Sequence, residues 1–179
     1  MHSIHGLSEI IGTPFKDERG LFINAYRSKN KNFNDIWGNR TIKQVNFSLT
    51  KKIGTIRGMH MQVGKFAEAK LVRCLEGAVF DVAVDLRRES DTFGHWCGVE
   101  LSEDKSNALF IPEGCAHGFQ VIKENSKLLY IHSNTWEPLS EKGVIFNDPQ
   151  INIKWPIEKF FLSEKDLRLP ELTNYEFQM

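Results

Sequence analysis

Short stretches that alternate apolar and polar side chains, broken by glycine, proline and charged turns, dominate this chain. Lys43-Gln44-Val45-Asn46-Phe47-Ser48 alternates strictly and predicts a strand with one wet face. The turn Asp17-Glu18-Arg19-Gly20 leads into Leu21-Phe22-Ile23-Asn24-Ala25-Tyr26, a second strand. Residues 53–122 carry the strongest β signal. Leu71 to Leu75 runs to a turn at Glu76-Gly77. Val79 to Asp85 follows as a strand, with Phe80, Val82, Val84 and Leu86 on one face and Asp81 and Asp85 on the other. Trp96–Leu101, Ala108–Ile111, Phe119–Ile122 and Lys127–His132 add more strands, with a turn at Pro112-Glu113-Gly114. Short strands at regular spacing, punctuated this way, predict an all-β sandwich or barrel. Two helical signals interrupt it. Asn30–Trp37 predicts a short helix. Leu162-Ser163-Glu164-Lys165-Asp166 predicts a helix start, with Ser163 as N-cap and Asp166 at the third helical position. Taken locally, that capping position is the better account of Asp166. The segments Asn147-Asp148-Pro149 and Lys154-Trp155-Pro156 are turn-rich. No solenoid repeat or low-complexity linker divides the chain, so residues 1–179 are expected to form one domain.

Composition narrows the function. Lys plus Arg and Asp plus Glu are both 23, a formal net charge of zero, which argues against a broad grip on nucleic acid. No stretch approaches the ~20 apolar residues of a membrane helix. Met1-His2-Ser3-Ile4-His5 has neither the basic nor the long apolar region of a secretory signal. The three cysteines, Cys74, Cys97 and Cys115, are widely spaced and odd in number, which favours reduced thiols and a cytoplasmic location. Cys115 lies close in sequence to His117, but a small buried apolar residue is its favoured reading.

The candidate chemistry gathers in two segments. Arg57, His60, Gln62 and Lys70 fall within 14 residues, and Pro112-Glu113-Gly114-Cys115-Ala116-His117 follows later. A lone strand histidine or a lone lysine is usually structural or solvated; the clustering changes that reading. His95 and His132 have no motif around them and read as structural or surface residues. The two segments resemble the layout of the cupin barrel, whose metal-binding members read H-x-H, then E, and later P-x-G-x-x-H. His60 and His117 match. The second histidine is replaced by Gln62 and the glutamate by Lys70. A neutral amide is a poor ligand for a transition metal and an ammonium repels one, so no metal is expected. A lysine there can instead stabilise negative charge on an oxygen.

Longer stretches carry a more specific resemblance. Arg57-Gly58-Met59-His60-Met61-Gln62, Lys70-Leu71-Val72-Arg73, Val79 to Arg87, Thr92-Phe93-Gly94, Ile111 to Phe119 and Trp155-Pro156 appear in order. With Asp17-Glu18-Arg19-Gly20 they resemble the dTDP-4-dehydrorhamnose 3,5-epimerase family over nearly the whole chain. The resemblance implies a cupin jelly roll, a homodimer with its N-terminal strands in contact, and no cofactor. It also implies a nucleotide-linked 4-keto-6-deoxyhexose as substrate, inverted at C3 and C5 in surface-polysaccharide synthesis. It places the catalytic base on His60, its orienting aspartate on Asp166, a tyrosine acid on Tyr130 and an oxyanion partner on Lys70. Substrate contacts fall on Arg19, Gln44, Asn46, Arg57, His117, Glu141 and Lys165, with Asn24 and Trp136 at two further substrate positions. The chain departs from the family at several places. Asn24 stands where a glutamate is often found, and Thr135-Trp136 where an aromatic pair ends in tyrosine. Met61 and Cys115 replace aromatic residues. These departures bear on which nucleotide is bound and whether one or two centres invert. A single-centre epimerase of a dTDP- or CDP-deoxysugar is the near alternative. A sugar-nucleotide-binding cupin without turnover is the alternative from another class.

The chemistry agrees with the resemblance. A hydrogen beside a ketone is weakly acidic, and its removal needs a base with pKa near the working pH, for which histidine is suited. A carboxylate behind the imidazole fixes its tautomer. Inversion requires a second group that returns a proton to the opposite face. Arg19 and Arg57 can hold a diphosphate through charge-assisted forks.

Overall fold

The computed structural model describes residues 4–27 and 31–175. The strands are β1 (Ser8–Ile11), β2 (Phe15–Asp17), β3 (Gly20–Phe22), β4 (Gln44–Thr50), β5 (Ile56–Gln62), β6 (Lys70–Asp85), β7 (Trp96–Ser102), β8 (Asn107–Ile111), β9 (Cys115–His132) and β10 (Glu141–Gly143). Two short helices accompany them, α1 (Lys31–Trp37) and α2 (Glu164–Leu167). Helix α1 matches the expected one except at Asn30, which lies outside the described residues. Among those residues, no helix is long and apolar enough to cross a membrane.

Two long strands organise the barrel. β6 and β9 pair antiparallel along their lengths, from Lys70 opposite His132 to Asp85 opposite Cys115. Each half takes different neighbours. Lys70–Arg73 of β6 pairs with β8, and Ala78–Val84 pairs with β7. Residues 117–120 of β9 pair with β5, and 126–132 pair with β4. The β6–β9 ribbon therefore bends from one layer into the other, as a jelly roll requires. The bend sits at register shifts between Cys74 and Val79. Gly77 (φ +82°) packs so tightly there that a Cβ would stand 2.5 Å from Ser126 Oγ. That hydroxyl accepts the Ala78 N–H at 3.1 Å and reaches the Lys123 carbonyl at 2.6 Å.

The expected turn at Glu76-Gly77 is thus a bulge inside one 16-residue strand. Likewise the separate strands expected before and after residues 123–126 form one 18-residue strand. The local chemistry of a bend is the same in both cases, and only long-range pairing decides whether the ladder continues. The Asp81–Asp85 face also differs from a solvent face, since both carboxylates are fully buried with partners.

The core lies between the layers, around Val72, Val79, Leu101, Leu109, Phe119 and Leu128. A second cluster forms where α1 closes one side, with Phe33 and Trp37 against Leu71, Phe110 and Ile131. The Trp37 Nε1–H donates to the Arg40 carbonyl (2.8 Å), and Arg40 forks onto Glu113 at 2.6 and 2.7 Å. β4 departs from the expected strand with one wet face: Asn46 and Ser48 line a cavity that Val45 and Phe47 also border, and Val45, Phe47 and Leu49 are exposed. The β2–β3 hairpin is exposed throughout and presents Phe15, Leu21 and Phe22.

Candidate active site

A cavity of about 780 Å³ opens at one end of the barrel. Four strands and the start of α2 furnish its wall. β5 supplies Arg57 and His60, and β6 supplies Lys70. β9 supplies His117, Phe119, Tyr130 and His132, while β4 supplies Asn46 and Ser48. Ser163, Lys165 and Asp166 complete it. The strand period of two puts Tyr130 and His132 on one face of β9. The β4 register, Asn46 opposite Tyr130 and Gln44 opposite His132, sets amides beside them.

His60 and Asp166 meet although 106 positions apart, with Nε2 2.9 Å from Oδ1. The other carboxylate oxygen accepts the Gly58 N–H at 3.3 Å. Burial raises the Asp166 carboxyl, but the hydrogen bond and charge of His60, with Gly58 and Ser163, hold it below its ordinary value. An ionised Asp166 only accepts, so Nε2 carries the hydrogen and Nδ1 is left as the basic nitrogen. Nδ1 stands 3.8 Å from Glu141 Oε1. The helix-capping account of Asp166 is correct for its backbone, whose N–H donates to Ser163 Oγ at 3.1 Å. As a complete account it fails, because the side chain serves His60.

Close backbone approach aims His60 into the cavity. A Cβ on Gly58 (φ +128°) would lie 2.5 Å from Gly118 Cα, and one on Gly118 would lie 2.8 Å from the Arg57 carbonyl. The β5–β9 register shifts between Arg57 and His60 at this crossing.

Tyr130 sits between His117 and His132, with ring centroids 6.1 Å from each. Its hydroxyl is 3.2 Å from Ser48 Oγ. Burial pushes the phenol well above its usual range, with Ser48 opposing, so it keeps its proton at any working pH. Lys70 is 8% exposed, and its ammonium lies 3.2 Å from Glu68 Oε1 and 3.5 Å from the His60 carbonyl. His117 Nε2 is 2.8 Å from Asp81 Oδ1. Burial raises the Asp81 carboxyl, opposed by His117 and by the charge of Lys70.

The rim is a polar chain. Gln44 Nε2 donates to Asn46 Oδ1 (3.1 Å), and Gln44 Oε1 accepts the Trp136 N–H (2.8 Å). The Trp136 indole donates to Glu141 Oε2 (2.9 Å), and Lys165 donates to Glu141 Oε1 (2.7 Å). Burial raises the Glu141 carboxyl, while Lys165, Trp136 and His60 bring it below its ordinary value. Arg57 donates to Thr50 Oγ1 at 3.1 Å and remains exposed to the cavity.

Eleven of the thirteen sequence-predicted site residues thus gather at this cavity or its rim. Arg19 and Asn24 do not. Arg19 stands on the exposed β2–β3 hairpin, paired with Asp17. Asn24 lines a separate cavity of about 260 Å³ with Ile10, Tyr26 and Arg73. Among the described residues the two hairpin strands pair only with each other, and none of their residues lines this cavity.

Sequence reasoning missed Glu68, Asp81 and His132. His132, read as structural or surface, is 7% exposed, lines the cavity, and bonds Glu68 Oε2 through Nδ1 at 2.9 Å. The one available signal was strand period, since His132 lies two residues after Tyr130. Gln62, at a position where metal-binding cupins have a ligand, is fully engaged elsewhere. Its amide donates to the Phe66 and Thr135 carbonyls and accepts from the Glu137 N–H. Cys115 is 3% exposed and its thiol is pushed up to about 12 by burial, as the apolar reading expects.

The arrangement can remove and return protons beside a carbonyl: a base backed by a carboxylate, a protonated phenol, and an ammonium at the floor. Known proteins share this frame. The family profile of dTDP-4-dehydrorhamnose 3,5-epimerase matches residues 1–174. The dTDP-4-dehydrorhamnose 3,5-epimerase of Salmonella typhimurium is 46% identical over 160 residues, covering 88% of this chain and 86% of that one. The crystal structure of the Elizabethkingia anophelis dTDP-4-dehydrorhamnose 3,5-epimerase superposes with a TM-score of 0.87 at 41% identity, covering 97% and 94% of the two chains. A Legionella pneumophila 3,5-epimerase, crystallised with dTDP-4-keto-L-rhamnose, gives a TM-score of 0.91 at 37% identity, covering 98% and 92%. The cupin jelly roll expected from the sequence is therefore the fold found, and the chain belongs to the dTDP-4-dehydrorhamnose 3,5-epimerase family.

Proposed function

We propose that this protein epimerises a dTDP-linked 4-keto-6-deoxyhexose at C3 and C5, as a single-domain cytoplasmic homodimer that uses only its own side chains. The observation that carries this reading is the His60–Asp166 pair, at 2.9 Å, sharing one cavity with Tyr130 and Lys70. His60 Nδ1 takes the proton beside the ketone, and Asp166 stabilises the imidazolium. The electrons move onto the carbonyl oxygen, where the Lys70 ammonium balances the charge. Tyr130 returns a proton to the other face. Arg57 and Lys165 supply the positive charge that a diphosphate needs. The exposed apolar face of β4 (Val45, Phe47, Leu49), with Phe15, Leu21 and Phe22 of the hairpin, supports the homodimer.

Proton NMR in deuterium oxide with dTDP-4-keto-6-deoxyglucose tests the reading. Deuterium entering at both C3 and C5, and lost in His60→Ala, is the expected result. Entry at one carbon makes the enzyme a single-centre epimerase, with Trp136 in place of a tyrosine as the first position to revert. Tight binding without exchange would leave a sugar-nucleotide-binding cupin and overturn the enzymatic reading.

A further inference from the structure

The mechanism above asks a lysine, the most flexible of cationic side chains, to stand at a fixed point in the cavity. Two buried groups with no part in that mechanism meet it there. Glu68 lies just before β6 and is 8% exposed. One of its oxygens is 3.2 Å from Lys70 Nζ, and the other is 2.9 Å from His132 Nδ1. Burial raises the Glu68 carboxyl, but His132 and Lys70 together bring it below its ordinary value, so it is a carboxylate. A carboxylate only accepts, so His132 Nδ1 carries a hydrogen, and Nε2 accepts from Asn46 Nδ2 at 3.3 Å. Lys70 and His132 are also direct cross-strand partners of β6 and β9, which fixes the backbones from which both side chains reach.

We propose that Glu68, held by His132, is the positioning group of Lys70, fixing the ammonium where the substrate's oxyanion forms. This inference rests on the epimerase reading. The forked carboxylate has one oxygen for each neighbour, so it orders the lysine through one N–H; a second reaches the His60 carbonyl at 3.5 Å, and the third is left for the substrate. A charge ordered before reaction needs no reorganisation during it, which is where an oxyanion partner gains its effect. The His132–Asn46 contact ties the same unit to β4, so the lysine is braced from three strands.

The test compares wild type with Glu68→Gln, His132→Phe and His132→Asn, each alone and in a Lys70→Met background, by turnover and by deuterium exchange. Glu68→Gln and His132→Phe are expected to lower kcat about tenfold or more with KM within about twofold, the mark of an interaction made in the transition state. His132→Asn places an amide N–H near the position of Nδ1 and should recover most of the loss. In the Lys70→Met background neither Glu68→Gln nor His132→Phe should lower the slow residual exchange further, because residues acting as one unit are not additive. Should Glu68→Gln fail to fold, the two His132 variants carry the comparison. Unchanged kcat in the single variants, or an equal loss with and without Lys70, overturns the inference and leaves a merely structural ion pair. Inactive wild type overturns the epimerase reading as well.

Discussion

Tyr130 is the residue whose environment makes the sharpest demand on the chemistry. Burial holds its phenol protonated, so in the resting cavity it donates and does not abstract. Tyr130→Phe should therefore separate the two half-reactions. Deuterium exchange driven by His60 is expected to continue, while net inversion falls by about 10²-fold or more. Measuring exchange and product stereochemistry on one sample checks this; equal loss of both would assign Tyr130 to binding. At this scale the sequence was uneven. His60, Lys70 and His117 were legible because they sit in a compact motif. Asp166 looked like a helix cap because its partner is 106 positions away. Glu68 and Asp81 read as ordinary polar positions, and only its two-residue spacing from Tyr130 marked His132, since a buried acid becomes tolerable only beside a partner that folding supplies.

Elements position those residues, and the connection after β6 shows how. Asp85, fully buried at the end of the strand, accepts from Arg87 (2.8 and 2.7 Å), Ser90 (2.6 Å) and Thr92 (2.7 Å). Burial raises its carboxyl, but these hydrogen bonds outweigh burial and bring it from 3.8 to about 2. The folded value lies below the unfolded one, so the carboxylate stabilises the fold above pH 3.8 and loses that effect as pH falls through about 2. The contribution is about 2 kcal/mol near neutral pH. Asp85→Asn should lower unfolding stability by roughly that amount near neutrality, and urea titrations should show the gap closing below about pH 4. A gap independent of pH would mean that packing, not ionisation, holds the connection. The strands themselves were mostly legible from alternation and turns. The β6 and β9 bends were not, because glycine and polar residues serve a bulge and a hairpin equally well.

For the whole molecule, the hairpin poses the remaining problem. The family resemblance places Arg19 among the expected substrate contacts, yet it stands on a hairpin whose strands, among the described residues, pair only with each other. Exposed apolar side chains stand on both elements: Phe22 on the hairpin is 65% exposed, and Val45 and Phe47 on β4 are 57% and 59% exposed. Such a surface is costly in water, and the proposed homodimer would cover it with a second copy. Alternation along β4 identified its two faces but not their roles, because a polar face reads as solvent until a cavity is built against it. If the hairpin of one copy serves the cavity of the other, two inactive variants can complement. A subunit carrying Arg19→Ala keeps His60, and a subunit carrying His60→Ala keeps Arg19. In a mixed dimer, the cavity of the first receives the hairpin of the second and is whole. Equal mixing with free exchange makes half the dimers mixed, each with one intact cavity of two, so activity should return to about a quarter of wild type. Unfolding and refolding the variants together, against each alone, gives the measurement. No recovery, from dimers shown to have exchanged, would mean that each chain completes its own site and that Arg19 acts only through the hairpin's stability.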